Sequence, residues 1–179
     1  MDKNICENKE LHIVYASDDR FAEILGVSLV SLYENNKDMK QIHVYILDSK
    51  ISNENKEKIE SVSKQYGRSV IQWLPAKDIS EELQMDVAVD RGSLSQYARL
   101  FVSSILPDDL DRVLYLDCDI IVKQSLSELW NLDMQGKTIA ALMDSFSKWY
   151  RRNINLKPND IMFNSGVNCT PCQGHFEIV

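Results

Sequence analysis

Apolar residues in this chain come in short runs, and the runs alternate between an unbroken pattern and a helical one. Leu11 to Ala16 is nearly continuous and stops at Ser17-Asp18-Asp19-Arg20, which reads as a buried strand. Phe21, Ile24, Leu25, Ser28, Leu29 and Leu32 then fall on one helical face, closed by Glu34-Asn35-Asn36. Ile42 to Leu47 predicts a second strand. Residues 52 to 66 predict an exposed helix anchored by Ile59, Val62 and Tyr66. Ser69 to Leu74 predicts a third strand, stopped by Pro75. Such a β-α-β-α-β run is the pattern of a parallel sheet with crossover helices.

Residues 76 to 92 read as a loop around a short helix. Leu94, Tyr97, Ala98, Phe101, Val102 and Ile105 repeat the helical face, ended by Pro107. Val113-Leu114-Tyr115-Leu116 is a strand covered on both faces, and it runs straight into Asp117 and Asp119 before Ile120-Ile121-Val122. Ser125-Leu-Ser-Glu128 has the spacing of a capping box and predicts a short helix. Thr138 to Met143 predicts another strand, and Ile161 to Val167 a last one that turns at Gly166. The twelve residues after it are polar and aperiodic. With nothing left to pack behind that strand, an exposed apolar patch is expected over Val113 to Val122 and Met162 to Val167, which leaves room for a homo-oligomer.

A chain of 179 residues suits one domain, and no linker or repeat divides it. Three parts are expected: an extension over 1–10, a folded domain over 11–167 and an atypical tail over 168–179. The net charge of -7 and pI of about 5.0 argue against binding a nucleic-acid backbone. The opening stretch lacks the apolar core of a signal peptide, and no window reaches the roughly 20 apolar residues of a membrane span. A cytoplasmic location, peripheral to a membrane at most, is expected. Four cysteines give no disulfide framework, and Cys169-Thr-Pro-Cys172 lacks the second pair a zinc site needs. His12 and His43 fall inside strands, as core or edge residues.

The acidic pair carries the chemistry. An unpaired charge inside a sheet is heavily penalised, so both carboxylates must meet water, a cation or a ligand. The carboxyl ends of strands are where open α/β sheets bind ligands. On an extended backbone, residues two apart share a side, roughly 7 Å apart. Hard cations such as Mn²⁺ or Mg²⁺ take oxygen ligands and bridge carboxylates to phosphates. A haloacid-dehalogenase-like phosphatase also places D-x-D after an apolar strand. Its motif belongs on the first strand, however, with a Thr or Val where Ile121 stands.

Four stretches in order decide between these: Ala16-Ser17-Asp18-Asp19, Ser95-Gln96-Tyr97-Ala98-Arg99-Leu100, the D-x-D strand, and Phe163-Asn164-Ser165-Gly166-Val167. On them, over roughly residues 11 to 167, the chain resembles the family 8 glycosyltransferases, retaining galactosyl- and glucosyltransferases that include glycogenin and bacterial lipopolysaccharide enzymes. The resemblance implies an α/β GT-A fold, Rossmann-like, with a mostly parallel central sheet. It implies a UDP-galactose or UDP-glucose donor, a glycan or lipid-glycan acceptor and Mn²⁺ (or Mg²⁺). By the same resemblance Ala16, Ser17, Asp18 and Arg20 would hold the uridine, although Arg20 stands where relatives often have a small polar residue. Arg99 would reach the donor. Asp117 and Asp119 would bind the metal and diphosphate, with Cys118 contributing backbone, and Asn164 and Ser165 would line the sugar pocket. No catalytic residue is assigned. The family continues with a second acidic motif and a late histidine that completes the metal site. Neither is present, so the sequence reads as incomplete on its C-terminal side. A nucleotide-sugar-binding or dimerising remnant without transferase activity is the alternative.

Overall fold

The computed structural model describes residues 10–84, 95–107, 109–144, 157, 160 and 162–171. Its centre is a six-stranded sheet in the order β3-β2-β1-β4-β6-β5. The strands are β1 (Glu10–Asp18), β2 (Gln41–Ser49), β3 (Gln72–Pro75), β4 (Arg112–Leu116), β5 (Ala140–Met143) and β6 (Phe163–Pro171). β1 pairs in parallel with both β2 and β4, and β2 in parallel with β3. β6 lies antiparallel between β4 and β5. The sheet is therefore mostly parallel, as expected, with one strand running against the rest.

The unbroken apolar runs are explained by cover on both faces. Leu11, Ile13 and Tyr15 point one way, into a core with Leu25, Leu29, Leu32, Ile42, Val44 and Ile46. Val14 and Ala16 point the other way, into a core with Tyr45, Leu47, Ala98, Val102, Val113 and Tyr115. The first layer belongs to helices α1 (Ala22–Asn35) and α2 (Asn53–Gln65). The second belongs to a 3₁₀ turn over Ser95–Phe101 that runs into α4 (Val102–Ile105); α3 (Ile79–Leu83) precedes it. The buried hydroxyls of Tyr15, Ser28, Tyr33 and Ser63 within the first layer are paired. The Tyr15 hydroxyl meets Ser28 Oγ at 3.2 Å and the Tyr33 hydroxyl meets Ser63 Oγ at 2.7 Å. The first pair is why a serine sits in the apolar stripe of α1.

Several expectations are corrected. Ile24 is exposed on α1, because the buried stripe runs through Ala22, Leu25, Ser28, Leu29, Leu32 and Tyr33. The helix expected over 94–105 is mostly 3₁₀, and Leu94 lies outside the described residues. The capping box does not form. Leu126 N–H donates to Asn36 Oδ1 at 2.6 Å, and α5 starts only at Ser127 and ends at Trp130. β6 does not turn at Gly166 but continues to Pro171, held by ladders on both sides. With β6 in place, Val113 to Leu116 and Val122 are buried. The exposed apolar residues of this region are instead Ile121, Leu142, Met143 and Phe163. Ile161 and the end of the chain from Cys172 onward lie outside the described residues. Cys169 is buried in β6. Among the described residues no helix is long and apolar enough to cross a membrane.

Candidate functional site

β1 sends the chain to β2 on one side, while β4 is added on its other side. The carboxyl ends of β1 and β4 therefore flank the point where strand order reverses, where open α/β sheets form a crevice. A cleft of about 290 Å³ lies there. It is lined by Ala16 and Ser17 from the end of β1, Phe21, Ser95, Gln96 and Arg99, Tyr115 on β4, Asp117, Cys118 and Asp119 after β4, and Ser165 on β6.

The acidic pair is not on extended backbone, as the sequence suggested. β4 ends at Leu116, and Ile120 N–H donates to the Asp117 carbonyl at 3.1 Å, closing a turn over Cys118 and Asp119. Asp117 N–H donates to the Gly166 carbonyl at 2.8 Å, so β6 fixes the start of that turn. The turn presents both carboxylates to the cleft and removes them from the sheet interior.

Arg99 organises the wall. Its Nε donates to the Gln96 carbonyl at 2.7 Å, its Nη1 to the Ser165 carbonyl at 2.7 Å, and its Nη2 pairs with Asp117 Oδ1 at 2.8 Å. The guanidinium also lies over the Tyr115 ring, 4.9 Å from its centre. These bonds use three of its five N–H groups. The 3₁₀ geometry explains part of this, since residues three apart eclipse and place Arg99 over Gln96. The Tyr115 hydroxyl donates to Asp117 Oδ1 at 3.0 Å. Burial first, with Asp117 adding to it and Arg99 opposing, holds that phenol far above the usual tyrosine range, so it remains a donor.

Gly166 completes the site by its lack of a side chain. A Cβ there would lie 3.1 Å from Asp117 Oδ2 and 3.2 Å from Asn164 Oδ1. Asp117 Oδ1 is thus taken by Arg99 and Tyr115, while Oδ2 faces a space that only glycine keeps open. The Cys118 thiol is pushed up to about 11 by burial and then by Asp119 and Asp117, so it stays neutral at pH 7.

Of the sequence-predicted residues, Ala16, Ser17, Arg99, Asp117, Cys118, Asp119 and Ser165 meet in the cleft. Asp18 and Arg20 do not line it. Asp18 caps the following 3₁₀ turn by accepting from Arg20 N–H at 3.0 Å, and its Oδ2 meets Arg20 Nη2 at 3.1 Å. Asn164 accepts from Gly166 N–H at 2.9 Å and lines a neighbouring apolar hollow of about 260 Å³ with Leu100, Ile139 and Phe163. Phe21, Ser95, Gln96 and Tyr115 also line the cleft, although the resemblance assigns none of the four a site role. Tyr115 could have been found, because the two-residue period of β4 puts it on the side of Asp117. Asp19, within the first motif, accepts from Ser52 N–H and Asn55 Nδ2, both at 2.8 Å, and so anchors the start of α2.

A model of the family described as glycosyl transferase family 8 matches residues 12–173. A putative glycosyltransferase of Haemophilus influenzae is 32% identical over 164 residues, 89% of this chain and 48% of that protein. The lipopolysaccharide 1,3-galactosyltransferase of Salmonella typhimurium is 26% identical over 174 residues, 93% of this chain and 50% of that protein. The crystal structure of the galactosyltransferase LgtC with donor and acceptor sugar analogues superposes with a TM-score of 0.78 at 28% identity, covering 91% of this chain and 58% of that one. The chain thus spans about half the length of the curated relatives it matches.

Proposed function

The chain belongs to glycosyltransferase family 8 and has its α/β GT-A fold, and from that premise we propose that the cleft binds a UDP-hexose with a divalent cation for transfer of the hexose, with retention, to a glycan or lipid-glycan hydroxyl. The observation that carries this reading is the turn after β4. It presents Asp117 and Asp119 across the sheet's switch point from Ala16 and Ser17, with Arg99 anchoring Asp117. The named activity of the Salmonella relative, a galactosyltransferase, supports a hexose donor.

The residues present fit a hard cation. Asp117 and Asp119 offer carboxylate oxygens, and Gly166 leaves Asp117 Oδ2 uncrowded. A cation held there by Asp117 and Asp119 would take further oxygen ligands from the donor's phosphates and from water, and would supply charge neutralisation for a diphosphate leaving group. The chain's own groups do the positioning. Arg99 keeps two N–H groups for an anion after holding the walls together. Tyr115 fixes one oxygen of Asp117 and leaves the other for a ligand. Cys118 remains a neutral thiol and contributes shape and backbone rather than charge. Ser17, buried with its hydroxyl donating to the Asp18 carbonyl at 3.1 Å, sets the floor under the uridine side.

Calorimetry with UDP, with and without Mn²⁺, tests this. Binding should require Mn²⁺, and the double change Asp117→Asn, Asp119→Asn should abolish the gain that Mn²⁺ gives. It should leave only weak, metal-independent affinity on a largely intact fold, since the amide oxygen at position 117 can still accept from Tyr115. Equal affinity with and without the metal would sink the metal role. A radiolabelled UDP-galactose and UDP-glucose assay against sugar and lipid-glycan acceptors separates transfer from binding. UDP binding without transfer would favour a nucleotide-sugar-binding protein.

A further inference from the structure

At the other end of the sheet, three potential ligands converge away from the cleft. His12 on β1 and His43 on β2 are register partners in a parallel pair, so their side chains share a face. Their rings stack with centroids 4.7 Å apart and planes 10° from parallel. Glu10 precedes His12 by two residues and so points to the same side. One ligand atom from each of the three lies within 4.8 Å of the others, and this is the only such trio among the described residues. Both histidines are half-buried, and Glu10 is exposed.

We propose that Glu10, His12 and His43 form a binding site for a borderline divalent cation, Zn²⁺ in the first instance, that clips the amino ends of β1 and β2 together. Two imidazoles and one carboxylate are a ligand set that suits Zn²⁺, with the fourth position left to water. The acid pair of the cleft, all oxygen, suits harder ions instead. The two sites therefore differ in chemistry as well as place.

The surroundings support ligation. His12 Nδ1 lies 3.1 Å from the Tyr45 hydroxyl, the kind of hydrogen bond that fixes ring orientation and leaves Nε2 for the metal. Trp130 lies 6.0 Å away at a tilt and fills one side of the His12 ring. An open hollow of about 300 Å³, lined by His12, Asp109, Asp111, Arg112 and Trp130, borders the trio on the His12 side. The one cation on that wall, Arg112, is turned to carbonyls, donating from Nη1 to Trp130 at 2.6 Å and Leu132 at 3.0 Å. Tetrahedral Zn²⁺ needs ligand atoms about 3.3 Å apart, since each bond is about 2.0–2.1 Å. Closing from 4.8 Å requires the stacked rings to turn so that their lone pairs converge, a side-chain rotation at the rim of the sheet.

The test is a Zn²⁺ titration of the full chain by calorimetry, with Co²⁺ absorption as a second readout. One Zn²⁺ per chain is expected, weakened about tenfold or more by His43→Gln and by Glu10→Gln. Co²⁺ should give intense visible bands characteristic of a tetrahedral site, and these should be lost in both variants. Glu10→Gln alters an exposed side chain at the start of β1, so the proposal stays testable if His43→Gln does not fold. The variant Asp117→Asn, Asp119→Asn should keep its Zn²⁺ stoichiometry. The proposal is overturned by no binding, by binding unaffected by Glu10→Gln, or by binding lost only in the Asp117/Asp119 variant. UDP binding plays no part in these outcomes.

Discussion

Gly166 sits where any side chain would press on Asp117. Its backbone is not in the left-handed region, so the constraint is space alone: a methyl group would stand 3.1 Å from Asp117 Oδ2. Asp117 cannot swing aside, since Arg99 and Tyr115 hold its other oxygen. Gly166→Ala should therefore weaken Mn²⁺-dependent UDP binding by about tenfold, or ~1.4 kcal/mol, with the fold retained. Calorimetry beside far-UV circular dichroism checks it, and unchanged affinity would take Asp117 out of the binding site. At this scale the sequence is readable where charge meets an apolar run, because only a strand end tolerates Asp117 and Asp119. It is unreadable where the backbone does the work. The turn that replaces the extended D-x-D, and the Gln96 and Ser165 carbonyls that catch Arg99, leave no mark in residue type.

Element by element, continuity of the apolar runs located β1, β2 and β4 because each is buried on both faces. Helical period alone was less exact on α1, since it could not distinguish a core-facing residue from its neighbour at the stripe's edge. Ile24 and Leu29 measure that difference. Leu29 is fully buried between α1 and the sheet, whereas Ile24 is 42% exposed. Leu29→Ala should cost roughly 2–5 kcal/mol through lost burial and the cavity it leaves. Ile24→Ala should cost under about 1 kcal/mol, partly offset by the better helix propensity of alanine. Urea unfolding reads both as midpoint shifts at unchanged slope. Equal losses would mean that the sequence-predicted stripe, and not the buried one described above, faces the core. β6 is foreseen as a strand but expected to turn at Gly166, because Asn168 to Pro171 carry no apolar alternation that would extend it. What carries it on to Pro171 is the partner on each side.

For the whole molecule, family membership was legible from four separated motifs because they meet at one crevice, while the antiparallel course of β6 was not. That course has a consequence in time. The first three strands pair with one another through crossovers that hold α1 and α2, and those ladders and the helical layer over them involve nothing beyond Pro75. β5 can enter the sheet only through β6, and Asp117 gains the Gly166 carbonyl only when β6 arrives. Contacts between distant segments pay their loop-closure entropy first and form late. In refolding with pulsed hydrogen exchange, the amides of β1 and β2 should gain protection before those of β6 and Asp117. Simultaneous protection would show one concerted event. In the ordered case, an intermediate with three strands already paired has a core but no acidic turn, and the crevice opens for ligand only as the last strand inserts.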